Sequence, residues 1–313
     1  MTPDPAPPLT LDHIVIAVRD LDAAAQSYRR LFGRAPSWHG RHPSYGTANV
    51  LFRLDNTYIE LLAPAADGDS ASPWLAALRA HLDTAGEGLY AIALGTEDID
   101  RAVAGARARG LTVAGPAAGD GVDLESGARR EWRNARIDPA VTRQVRLFFI
   151  EHLSPPGALP LGKPDAPAAA CPHAVDHTVV ASSDLAAGLA LWRDTLGLDL
   201  RATVDFPPPD GPRRLCFLRL GDSILELAGR RPGDNAPAAA RGTSNQQQAT
   251  SDHIWGVSYR VADIAACVER LRAGGLAVSD VRAGNAPGTL VADLKPGFSH
   301  DVRTLFIQRD IPS

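Results

Sequence analysis

Two histidine–glutamate pairs are the residues of this chain best suited to chemistry. His13 stands in Leu11-Asp-His-Ile-Val-Ile-Ala-Val18, and Glu60 follows in Asn56-Thr-Tyr-Ile-Glu-Leu61. The pair recurs as His177, in Val175-Asp-His-Thr-Val-Val180, and Glu226, in Asp222-Ser-Ile-Leu-Glu-Leu227. The separations are 47 and 49 residues. Imidazole nitrogen and carboxylate oxygen are donors for divalent metals, and a glutamate shielded from water can move a proton. Strand parity supplies direction. His13, Val15 and Ala17 share one face of a β-branched run, and the more apolar Ile14, Ile16 and Val18 share the face expected beneath a helix. His13 is therefore expected to point into the hollow of a curved sheet. Glu60 shares its face with Tyr58 and Leu62. Glu151, closing Arg146-Leu-Phe-Phe-Ile-Glu151, and Gln308, closing Arg303-Thr-Leu-Phe-Ile-Gln308, are expected to hold the matching places in later strands. The alternative for each histidine is a structural residue bonded to the aspartate beside it, which a duplication would copy equally well.

The elements that must position these residues form an internal repeat, the first feature to seek in a chain of this length. At an offset of 164, Asp12 matches Asp176, Asp20 matches Asp184 and Gly33 matches Gly197; Glu60 matches Glu226 at 166. Ala91-Ile-Ala-Leu-Gly-Thr-Glu-Asp-Ile99 aligns with Gly256-Val-Ser-Tyr-Arg-Val-Ala-Asp-Ile264 at 165. Each module reads as a strand, an aspartate-capped helix (Asp20, Asp98, Asp184, Asp263), a glycine stop (Gly33, Gly110, Gly197, Gly275) and three further strands. The expected fold class is α+β: tandem βαβββ modules, four in two halves, as curved mixed sheets with helices on the outer face. Residues 1–10 are expected to be disordered. A first domain over 11–153 holds modules 11–85 and 86–153. A Pro- and Ala-rich linker covers 154–172, and a second domain over 173–313 holds modules 173–228 and 251–313 around a long loop, 229–250.

Composition removes several function classes. The chain has 313 residues, 45% hydrophobic and 22% charged, with a formal net charge of −4. That is globular, with no basic footprint for nucleic acid and no polybasic membrane patch. There is no long apolar run and no basic-then-apolar start, so neither a membrane span nor a secretory signal is expected. Cys171, Cys216 and Cys267 form no CxxC pair, and a reducing cytoplasm is the expected location. Lys163 and Lys295 are the only lysines, which disfavours Schiff-base chemistry. No G-x-G-x-x-G, P-loop or G-x-S-x-G sequence supports a nucleotide cofactor or serine hydrolysis. The expected partner is a small molecule, for a monomer or homodimer. Arg129, Arg130, Arg133, Arg136, Arg143 and Arg146 read as a solvated face, with an anionic substrate as the alternative; Trp38, Trp132 and Trp255 read as core or cavity wall. His152, pointing opposite to Glu151, reads as structural.

The start Asp12-His13-Ile14 with Asp20-Leu-Asp22, and the close Tyr58-Ile-Glu60-Leu61, resemble the vicinal oxygen chelate superfamily, the glyoxalase and bleomycin-resistance fold. The segment His42-Pro-Ser-Tyr-Gly-Thr-Ala-Asn49 resembles the H-P-x-x-G-T-x-N stretch of its glyoxalase-like members. The resemblance implies a divalent metal (Zn, Ni, Mn, Mg or Fe) held by His13, Glu60 and Glu151 in the first half and by His177, Glu226 and Gln308 in the second. Modules could also pair across halves. It further implies Glu60, Glu151 and Glu226 as proton-moving residues. His42, Asn49 and Tyr58 are the candidate substrate contacts. The remaining ligand place falls at Ala91 and Gly256, which hold no metal. One histidine per half suits a Lewis-acid lyase or isomerase acting on a small vicinal-oxygen, and in one variant anionic, metabolite better than the two-histidine iron site of an extradiol dioxygenase. A metal-free ligand-binding or resistance protein is the alternative. Gln308, in place of an acid, makes the second half the one expected to have lost activity.

Overall fold

The computed structural model describes residues 8–66, 72–206, 213–230 and 251–309. Most of the expected N-terminal tail and of the loop at 229–250 lies outside the described residues. The first module runs β1 (Thr10–Ala17), α1 (Leu21–Phe32), β2 (Trp38–His42), β3 (Thr47–Arg53) and β4 (Tyr58–Pro64). After an additional helix, α2 (Pro73–Thr84), come β5 (Gly88–Gly95), α3 (Ile99–Ala108), β6 (Val113–Asp123), β7 (Arg129–Ile137) and β8 (Leu147–His152). The second half repeats the order: β9 (Ala174–Ala181), α4 (Leu185–Leu189), β10 (Asp199–Phe206), β11 (Arg213–Leu220) and β12 (Ser223–Arg230). Then follow β13 (His253–Arg260), α5 (Ile264–Ala273), β14 (Arg282–Ala283), β15 (Thr289–Asp293) and β16 (Arg303–Arg309). The α+β architecture of tandem βαβββ modules is thus present, and modules pair within each half.

Local chemistry explains the repeat. The carboxylates of Asp20, Asp98, Asp184 and Asp263 accept N–H bonds from the first turns of α1, α3, α4 and α5. These bonds satisfy donors that a helix start leaves free. Gly33 ends α1 at φ 62°, where a Cβ would also stand 2.5 Å from Cys171 Sγ. Helix α1 buries Ala24, Tyr28, Leu31 and Phe32, which join Ile14, Ile16 and Val18 in one apolar cluster. The apolar face of β1 therefore lies beneath the helix, as parity requires, and His13 faces the other way.

That cluster continues without a break into the second half. The Phe32 ring meets Tyr259 edge-on at 5.2 Å, and Arg270 donates to the carbonyls of Arg30 and Leu31, both at 2.7 Å, at the end of α1. The segment expected as a linker packs against the first half: Arg29 grips Asp165 through two bonds, and Leu159 is buried with Trp38, Leu51 and Tyr58. Among the described residues, no helix is long and apolar enough to cross a membrane.

The halves differ in closure. The first sheet closes into a barrel, β1-β4-β3-β2-β6-β7-β8-β5, because the 11-residue β6 reaches β2 through Gly40–Asp123 and Arg41–Val122. The second stays open, in the order β10-β11-β12-β9-β13-β16-β15-β14. Its counterpart strand β14 has two residues and pairs with β15 alone.

Candidate active site

The barrel encloses a hollow of about 440 Å³ lined by His13, His42, Asn49, Tyr58 and Glu60, with walls that include Trp38, Tyr45, Trp74, Trp132 and Phe148. His13 is 3% exposed and is fixed on three sides. Its Nδ1 lies 2.6 Å from Asp12 Oδ1, its Nε2 lies 3.3 Å from Glu60 Oε2, and its ring stacks on Tyr58 at 4.4 Å. Parallel pairing of β1 with β4 brings the groups together, since His13 registers with Tyr58 and Val15 with Glu60. Burial alone would push the imidazole pKa down, but the bonds to Asp12 and Glu60 outweigh it and raise it to about 9. His13 is thus an imidazolium between two carboxylates at neutral pH. Burial likewise works against the charge on Glu60, and His13 and Asn49 together hold its pKa below the usual value. Asp12 is held well below the carboxylate range, against its burial, by His13 and His152.

A second network begins at the turn joining β2 and β3. His42 Nδ1 lies 2.9 Å from Thr47 Oγ1, and Asn49 Nδ2 reaches both His42 Nε2, at 3.0 Å, and Glu60 Oε1, at 2.8 Å. With Nε2 accepting from Asn49, the Nδ1–H of His42 donates to Thr47. This neutral form agrees with a pKa lowered first by burial. The oxygen of Asn49 is buried without a partner.

Two expected residues do not reach the hollow. Glu151 turns to the helix side of β8, where Arg133 reaches it at 3.3 Å. Ala93 registers with Phe148, so the place equivalent to Glu60 in β8 belongs to Phe148, and three residues on parity reverses. Gln308 behaves alike: its Oε1 accepts the Ile264 N–H at 2.8 Å at the start of α5, and Leu305 occupies the place opposite Ser258. His177 and Glu226 do approach each other, at 3.6 Å, but in the open sheet.

Other residues also matter at the site. His152 shares the parity of Phe148 and Ile150, and its Nε2 meets Asp12 Oδ2 at 2.9 Å, which extends the chain Glu60–His13–Asp12–His152 toward a second cavity between the halves. Helix α2 closes one mouth of the barrel with Leu78 and Leu82 against Val15, Ala17 and Tyr90. Its signal was legible: Ser72-Pro73 as an N-terminal start, then Leu75, Leu78 and Leu82 at helical spacing. Arg130, Arg136 and Arg146 face the hollow instead of solvent.

The donor set can be tested against a divalent ion. A nitrogen and an oxygen 3.3 Å apart fit neighbouring positions around one metal with bonds of about 2.1 Å. The opposite wall offers Ala91 and Phe148, and among the described residues no group of three His, Cys, Asp or Glu side chains could hold a metal. His13 and Glu60 therefore fit an ion completed by water or substrate oxygens, not a closed four-ligand centre.

A pair of curled sheets built from repeated βαβββ modules, with a polar centre inside one of them, defines the class of protein. Residues 11–170, just over half of the chain, match the family described as glyoxalase-like domain, and 176–292 match the glyoxalase/bleomycin resistance protein/dioxygenase superfamily. The chain belongs to that superfamily. It is 38% identical over 65 residues to the ethylmalonyl-CoA/methylmalonyl-CoA epimerase of Cereibacter sphaeroides, a match over 21% of this chain and 48% of that one. The chain thus spans about half the length of that curated relative. In fold it is similar to a mutant of 4-hydroxymandelate synthase from Streptomyces coelicolor, with TM-score 0.66 and 15% identity over 97% of this chain and 93% of that one. It is also similar to the Mn(II)-bound glyoxalase from Novosphingobium aromaticivorans, with TM-score 0.60 and 15% identity over 97% and 83%.

Proposed function

We propose that the first-half barrel is the active site of a lyase- or isomerase-type enzyme that moves a proton on a small oxygenated anion. The observation that carries this reading is the buried His13–Glu60 pair at 3.3 Å, in a hollow that also presents the Arg130 guanidinium. The local likeness to an epimerase supports it.

Each residue has a distinct part. Arg130, 7% exposed and stacked over Trp38 and Tyr58, binds the substrate's carboxylate and fixes its orientation. Asn49 occupies Oε1 of Glu60, and Oε2, which faces the His13 Nε2–H at 3.3 Å, takes a proton from a carbon beside a carbonyl once the substrate's oxygen draws that N–H away. The depressed pKa keeps Glu60 ionised and able to accept. The His13 imidazolium, anchored by Asp12, lies beside Glu60 and donates toward the oxygen on which charge develops. Trp38, Trp132 and Phe148 exclude water. A divalent ion, when bound, would displace the imidazolium proton, be held by the neutral His13 Nε2 and by Glu60, and polarise the substrate's oxygens as a Lewis acid in the imidazolium's place.

The experiment is hydrogen exchange in D2O, followed by NMR, on a panel of 2-oxo, 2-hydroxy and branched malonate-type acids, with and without Mn2+. Exchange at one carbon that vanishes in Glu60→Gln is the expected result. No exchange on any panel member, in either condition, would remove the catalytic reading. A binding protein without turnover is the second reading, favoured by the aromatic walls and by Ala91 and Phe148 standing where further donors would be. A ferrous dioxygenase lacks its second histidine here, because His42 is held by Thr47 and Asn49.

A further inference from the structure

Strand β7 carries Arg130, Trp132, Asn134 and Arg136 on one face, and all four line the hollow. At about 3.3 Å per residue, the two arginines stand roughly 20 Å apart along the strand. Arg130 marks the end beside His13 and Glu60. Arg136 marks the end beneath α2, where Arg146, just before β8, joins it. Each guanidinium stacks on a ring: Arg136 on Trp74 at 4.9 Å and Arg146 on Tyr90 at 5.0 Å.

Pairing divides the six arginines between residues 129 and 146 sharply. The three that face outward have carboxylate partners: Arg129 with Asp120 at 2.7 Å, Arg133 with Asp100 at 2.8 Å and Arg143 with Asp252 at 2.9 Å. The three that face inward form no ion pair with any described residue. Asp138 also lines the far end, but its carboxylate accepts the Ala140 N–H at 3.0 Å. A ring covers the face of a guanidinium; Arg130 and Arg146 each also bond the hydroxyl of Tyr58 or Tyr90, and the remaining N–H groups can bind oxyanions.

We propose that the hollow takes an elongated dianion, with one carboxylate on Arg130 at the reacting end and a second oxyanion, carboxylate or phosphate, on Arg136 and Arg146. This deepens the reading of the barrel as an active site and rests on it for which end reacts. The two arginine groups then work as a ruler. They select substrates by the separation of their charges and place the carbon between them against Glu60.

Equilibrium binding tests this without turnover. Sebacate, its monomethyl ester and its ω-phosphono analogue would be titrated calorimetrically into the full chain. The diacid is expected to bind at least about tenfold tighter than the ester. In the double variant Arg136→Gln/Arg146→Gln that difference disappears while the ester's affinity is unchanged, and Arg130→Gln weakens both ligands. A phosphono analogue tighter than the diacid identifies the distal group as phosphate, and the reverse order as carboxylate. Equal affinity of diacid and ester, or a difference that survives the double variant, overturns the proposal. Should the double variant fail to fold, Arg146→Lys and Arg136→Lys singly must narrow the difference. Glu60→Gln is expected to keep it, so loss of the catalytic reading leaves this one standing and separately measurable.

Discussion

The two halves hold the same histidine–glutamate pair in the same register and treat it in opposite ways. His13 registers with Tyr58, two residues before Glu60, and His177 registers with Ile224, two before Glu226. Yet the pKa of Glu60 is lowered while that of Glu226 is raised, chiefly by burial. The bond and charge of His13 do most to hold Glu60 down, and the neighbouring strands add to the difference. Asn49 donates to Glu60, and its equivalent at the same offset of 166 is Leu215, which has nothing to donate. Across the sheet, His13 faces Ala93 and keeps its Nε2 for Glu60, whereas His177 faces Ser258, whose hydroxyl lies 2.8 Å from its Nε2. A single copied motif thus yields a charged centre in a closed barrel and a diverted pair in an open sheet. Catalytic character comes from the residues around the pair as much as from the pair itself.

The comparison can be broken by mutation. The largest effect is expected at the acids: Glu60→Gln lowers proton exchange by about 10²–10⁴-fold, the range of a lost general base, and Glu226→Gln leaves it unchanged. Equal losses from both variants would make the halves equivalent. Next comes pH. Because the folded-state pKa of His13 is raised from 6.5 to about 9, its contribution is complete below pH 6.5 and is lost as pH rises through 9. That contribution is on the order of 3 kcal/mol, read as alkaline loss of stability in urea unfolding. His13→Gln should flatten this part of the profile. Metal affinity is third: Asp12→Asn, which frees the His13 ring, is expected to weaken Mn2+ binding by about 10–100-fold, whereas Asp176→Asn does not. Calorimetric titration measures both.

Smaller effects sharpen the contrast. Ser258→Ala removes the competitor for His177 and is expected to cost about 1 kcal/mol of stability while bringing His177 closer to Glu226. Exchanging the neighbours should exchange the titrations: Asn49→Leu raises the Glu60 pKa, and Leu215→Asn lowers that of Glu226, both followed by carboxyl NMR. A Glu60 titration unmoved by Asn49→Leu would return the whole difference to barrel closure.

Much of this site was legible in the chain. Parity along β1 places His13 opposite the helix-covered face, and the repeat joins Glu60 to Glu226. The capping aspartates marked the helix starts. Glu151 and Gln308 were misplaced because order along a strand does not give its register. Parallel pairing of β5 with β8 set Ala93 against Phe148, and a three-residue step turned Glu151 to the helix side. The arginines of β7 were ambiguous for a related reason. Alternation separates two faces, but nothing local says which face is enclosed.

What the sequence alone determined, then, is the repeated βαβββ order, the alternation of every strand and the types of residue able to bind or move a proton. These depend on neighbours a few positions apart, or on a copy elsewhere in the chain. Tertiary structure alone decided that β6 reaches β2 and closes one sheet, while a two-residue β14 leaves the other open. It also decided that Arg130 and Arg136 face inward and that Asn49 meets Glu60. Those outcomes depend on strand lengths and registers matched across long separations, which no local pattern encodes.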